Sequence, residues 1–78
     1  MREERQNVLD AVGILAQYLG HPPSISEVAR FCGQPRMTAY HHLRELRRAK
    51  LVTNEEGQNR TLRLTEAGRA RLSKVVVL

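Results

Sequence analysis

Tryptophan is absent from this 78-residue chain, and one Phe with two Tyr brings the aromatic share to only 4%. The core must therefore be built from Leu, Val, Ile and Ala. A single cysteine, Cys32, excludes an internal disulfide and matches the usage of a reducing cytosol. The sequence has no basic-then-apolar leader and no apolar run near the roughly 20 residues a membrane span requires. It also lacks a Gly-rich phosphate loop, a metal-ligand helix and a nucleophile motif, and so short a chain leaves little room for a substrate cleft. Cys32 with His21, His41 and His42 fits no compact zinc spacing, so Cys32 reads as a small buried hydrophobe. The expectation is a cytoplasmic, non-enzymatic protein with no cofactor, no metal and no membrane contact.

What is present is a globular balance, 41% hydrophobic and 27% charged, read as one domain over residues 1–78. Formal charge is +5 and the sequence pI is near 10.4. A small domain of that kind is drawn to polyanions. The charge is also uneven. The segment PRMTAYHHLRELRRAK, residues 35–50, holds five basic residues against one acid, a net +4 of the chain's +5.

From Arg2 to Leu19 no proline interrupts, and Val8, Val12, Leu15, Ala16 and Leu19 recur at helical spacing. Gly20 and Pro22-Pro23 stop that helix. Ala11, Ile14 and Tyr18 fall on its other side with Asn7, a second strip that needs a partner of its own. Ser24-Ile25-Ser26-Glu27 is a capping box opening a short helix to about Phe31, with Ile25, Val28, Ala29 and Phe31 as its apolar positions. Gly33 suits a left-handed cap, and Pro35 suits the first position of a third helix running to about Ala49. Two helices joined by about three residues cross sharply, as in a helix-turn-helix. Leu51-Val52-Thr53 and Thr61-Leu62-Arg63-Leu64 flank a polar turn and read as a β-hairpin, with Leu62 and Leu64 inward. A short extended piece near Ser24 is a candidate third strand. Thr65 can cap a final helix over Glu66 to Leu72, and the chain ends Val75-Val76-Val77-Leu78.

This order is that of a winged helix-turn-helix: α+β, mostly helical, with a three-helix core, a hairpin wing and a C-terminal helix. HPPSISEVARFCG followed by a helix ending HLRELRRAKLV resembles the N-terminal DNA-binding domain of LexA-type repressors, and LTEAGRARL resembles the wing end of MarR-like regulators. The likeness covers roughly residues 8 to 72 and includes nothing of a self-cleaving domain. It implies double-stranded DNA as partner and a prokaryotic-type transcriptional regulator, a repressor, as function.

On the third helix Ala39, Leu43 and Leu46 lie within about 60° of one another and should face the core. His42, beside that stripe, reads as structural. In a helix-turn-helix the early residues of this helix meet base edges in the major groove and later ones meet phosphate. Arg36, Met37, Thr38, Tyr40, His41 and Arg44 are then the base-facing candidates, and Arg47, Arg48 and Lys50 the phosphate candidates. Arg60 and Arg63 could bring the wing to DNA, while Glu55 and Glu56 near its tip would be repelled. Either the tip stays off DNA or the wing serves another purpose. Operators are commonly read by two-fold dimers, and Ala11, Ile14, Tyr18, Val75 and Val77 are candidate homodimer contacts. Equally, the valines could finish the last helix against its own core. The rival function is a winged-helix protein–protein interaction module within a larger assembly.

Overall fold

The computed structural model describes residues 3–55 and 60–73; Arg2, Glu56 and the valine tail lie outside them. The elements run α1 (Glu3–Leu19), α2 (Ile25–Cys32), α3 (Arg36–Arg48), β1 (Val52–Thr53), β2 (Arg63–Leu64) and α4 (Glu66–Ala70). No described helix is long and apolar enough to cross a membrane.

α1 is the central post. Glu3 and Glu4 occupy its first turn, where the helix dipole favours negative charge. Its contiguous run from Val8 to Gly13 is buried, because α2 and α3 pack on one side and β2 on another. The first apolar strip of the sequence is thus partnered within the fold, and the second only in part. Ala11, expected at a dimer surface, is 0% exposed and has nothing to offer a second chain. Ile14 is half-buried, whereas Tyr18 is 84% exposed. Gly13 permits the approach: a Cβ there would lie 3.2 Å from Leu64 and 3.4 Å from Leu72. Asp10, buried on the same helix, accepts from the Gln6 side chain at 2.9 Å and from the Ser73 backbone N–H at 3.0 Å. Gln6 also donates to the Arg71 carbonyl at 2.8 Å. Two polar side chains of α1 therefore hold the backbone that follows α4.

α2 begins in the expected capping box: Glu27 N–H donates to Ser24 Oγ at 3.1 Å and Ser24 N–H to Glu27 Oε1 at 2.8 Å. It ends with Gly33 in the left-handed region, φ 66°. The helix runs one residue past the expected end, and Cys32 rather than Phe31 turns toward the core. Phe31, expected among the core positions, is 52% exposed. Pro35 stands one position before α3 instead of at its first residue; with ψ 146° it is extended, and its carbonyl accepts from Ala39 N–H at 3.1 Å. Ala39, Leu43 and Leu46 are the buried positions of α3, as the wheel indicates. Beyond Ala49 the chain closes a Schellman motif, with Leu51 N–H on the Leu46 carbonyl and Lys50 N–H on that of Arg47, both 2.9 Å. Lys50 takes the left-handed position at φ 64°.

β1 and β2 pair antiparallel, Val52 opposite Leu64 and Thr53 opposite Arg63. Val52 and Leu62 are buried and Leu64 packs on the core from a half-buried position. Both strands are shorter than expected, and residues 21–24 form no third strand. Thr65 knots the end of α3 to the start of α4. Its N–H donates to the Leu51 carbonyl at 3.0 Å, its hydroxyl donates to the Lys50 carbonyl at 2.7 Å, and that oxygen accepts from Gly68 N–H at 3.0 Å. α4 stops at Ala70, short of the expected Leu72, which folds onto the core instead. The architecture is a winged helix-turn-helix.

Two substitutions test the backbone constraints. A Cβ at Gly68 would sit 1.9 Å from the Leu51 carbonyl oxygen, so Gly68→Ala should cost at least about 2 kcal/mol in a urea unfolding curve. Lys50→Gly should raise stability by about 0.5–1 kcal/mol, the left-handed strain relieved less the extra chain entropy.

Candidate nucleic-acid interface

Burying Ala39, Leu43 and Leu46 turns the opposite side of α3 outward. Met37 is 64% exposed, and Tyr40, an exposed neighbour, sets its ring 6.2 Å from that of His41 at a 60° tilt. His41, Arg44, Arg47, Arg48 and Lys50 are exposed, while Thr38 and His42 are half-buried. Arg48 lies 3.8 Å from Glu45 one turn back and keeps most of its surface in solvent. Such an i,i+3 contact restrains it weakly.

Arg36 extends toward α2 and donates from Nε to Ser26 Oγ at 3.1 Å, so the starts of the two helices are linked by side chains. Between those helix starts and the hairpin lies a groove of about 630 Å³. Ser24 and Ser26 line one wall, Arg36, Tyr40, Arg44 and Arg47 another, and Asn54, Glu55, Arg60 and Thr61 the third, over a floor that includes Leu43 and Leu62. Four of the expected cations and one expected aromatic thus share one concavity, against a single acid among the described residues of its wall. Met37, Thr38, His41, Arg48 and Lys50 lie outside it. Arg63 lines a separate cavity of about 620 Å³ with His21 and Arg69. The wing residues expected to act together therefore face different spaces.

Arg60 has a partner the sequence did not suggest. Its Nη1 donates to Glu27 Oε1 at 2.8 Å and its Nη2 to Glu27 Oε2 at 3.4 Å, from a backbone with φ 61°. His21 Nδ1 stands 3.4 Å from the same guanidinium and 3.0 Å from the Pro22 carbonyl. A ring nitrogen either donates to a carbonyl or accepts from a guanidinium, so only one of these is a hydrogen bond at a time. The Ser24 backbone N–H, and after it the Arg60 guanidinium, hold the Glu27 carboxyl below its ordinary 4.5. Ser24, Ser26 and Asn54 were also missed. The capping box was the one signal that singled out Ser24 and Glu27, and it names their local role alone.

Burial, with the negative charge of Asp10 adding to it, pushes the Cys32 thiol up, and that thiol donates to the Asn7 carbonyl at 3.7 Å. A thiol so placed is a poor nucleophile. Among the described residues no three His, Cys, Asp or Glu side chains gather where they could hold a metal ion.

A family model described as a helix-turn-helix domain matches residues 7–55, from the second turn of α1 through β1 to the groove wall at Glu55. No match was found among curated proteins.

Because folding lowers the Glu27 carboxyl, the stability it contributes is complete above 4.5 and is lost as pH falls through the folded value. The melting temperature of Glu27→Gln should lie below that of the wild type at neutral pH. The two should converge on acidification below 4.5; a gap independent of pH would show that the charge plays no part.

Proposed function

This chain belongs to the helix-turn-helix domain family, and from that premise we propose that it binds double-stranded DNA sequence-specifically as a small transcriptional regulator, with α3 entering the major groove. The observation that carries this reading is the groove between α2, α3 and the wing, with Arg36, Arg44, Arg47 and Arg60 in its walls beside an outward, basic face of α3. A phosphate strand is the polyanion that such a concavity suits. Arg36, Met37, Thr38, Tyr40, His41 and Arg44 meet base edges: arginine pairs with guanine O6 and N7, and Thr or Met touches a thymine methyl. Arg47, Arg48 and Lys50 grip phosphate and set register. Arg63 approaches backbone from the wing, on the far side of Leu62 from the groove.

The regulator works as a two-fold homodimer, as pseudo-palindromic operators require. Tyr18 and Ile14 supply the contact from α1, joined by Val75 and Val77; Ala11, buried in its own protomer, takes no part. The LexA-type and MarR-like resemblances favour repression. The family match favours DNA over a protein-interaction module.

A gel-shift titration should show affinity falling by roughly 10³-fold between low and physiological salt if about six phosphates are neutralised. Arg44→Ala and Arg48→Ala should each weaken binding; if both bind as the wild type does, the docking face is wrong. Sedimentation of the full chain beside a chain ending at Ser73 should show the shorter one at lower mass. Equal masses would remove the tail from the dimer contact.

A further inference from the structure

We propose that Glu27 is a positioning residue for DNA binding: it holds the wing's return arm through Arg60, so that Arg60 serves as a strut across the groove rather than as a phosphate ligand. This rests on the DNA-binding reading above.

The pair has the geometry of a joint. Two guanidinium nitrogens meet both carboxylate oxygens, at 2.8 and 3.4 Å, which fixes orientation as well as distance. The acceptor is itself held, because Oε1 also takes the Ser24 backbone N–H at 2.8 Å within the first turn of α2. The donor is tied to the hairpin as a whole. Thr61, next in the chain, accepts from Glu55 N–H through Oγ1 at 2.8 Å, so the two arms are stitched together beside Arg60. The strands themselves pack on α1 and α3. Arg60 adds a tie to α2 and joins two walls of the groove.

Charge argues for the pair's survival when DNA is bound. Transferring Arg60 to a phosphate would exchange one anionic partner for another and leave the Glu27 carboxylate without its guanidinium, one ion pair away from a groove that already carries Glu55. Keeping the pair cancels the Glu27 charge where the strand lies. The same carboxylate that caps α2 thus also fixes how far the wing stands from it.

The test uses the full chain and a duplex recovered from random sequence by selection. Glu27→Gln keeps an amide oxygen for the Ser24 N–H and so keeps the cap. If Arg60 is a strut, Glu27→Gln and Arg60→Ala should each weaken binding about three- to fivefold, the most an exposed ion pair transmits. The double variant should be no weaker than either single one, with the salt slope of all three unchanged. Arg60→Lys, which keeps charge but not the fork, should resemble Arg60→Ala. The proposal is overturned if Glu27→Gln binds more tightly with a steeper salt slope, or if Arg60→Ala lowers the slope by about 0.9, the signature of one lost phosphate contact. Amide hydrogen exchange without DNA separates the two levels. Faster exchange at Glu55, whose N–H is held by Thr61 Oγ1, in both single variants supports the strut even if no duplex is bound, and unchanged exchange overturns it even if DNA is bound.

Discussion

The rotation of α3 about its own axis is fixed by the burial of Ala39, Leu43 and Leu46 against α1 and α2, and the rest of the interface depends on that angle. A turn of one residue, about 100°, would carry Arg44 off the groove and expose a leucine in its place. The seam is narrow, and two small links at the helix start and end support it. Arg36 is bonded to Ser26 on α2, and the Schellman closure after Ala49 delivers the chain into β1. Orientation is thus set by packing and held at both ends by hydrogen bonds.

What the sequence made legible was mostly what has a local or periodic cause. The capping box at Ser24, the left-handed Gly33, the stripe of α3 and the Thr65 cap each arise from residues within a turn of one another, so they can be read in order along the chain. The misreadings have a common origin in partners that sequence spacing does not reveal. Ala11 looked like surface because the elements that enclose α1 all come later in the chain, so its burial is set by packing that spacing does not show. Phe31 looked like core because it is large and apolar, but on an eight-residue helix the buried arc is spent on Val28, Ala29, Ile25 and Cys32. The acceptor of Arg60 lies 33 residues away, on a helix whose own signal had already explained Glu27.

The wing acquires a different character from this. Its acidic tip was puzzling for an element near phosphate. With Arg60 joined to Glu27, and Arg63 turned to the other cavity, the described part of the hairpin is a wall with controlled spacing rather than a cationic finger. On the proposed reading the base contacts lie on α3, while the wing adds a spacing set by Arg60 and a backbone approach by Arg63.

The clasp between α1 and the residues after α4 differs from these side-chain matches in one respect. Gln6 and Asp10 bond to a carbonyl of Arg71 and an N–H of Ser73, groups that every amino acid but proline carries at the donor position. The closure is therefore blind to which side chains stand at those two sites. Drift there would leave the ring of chain from α1 back to α1 intact, whereas a single change at Asp10 or Gln6 would open it from the other side.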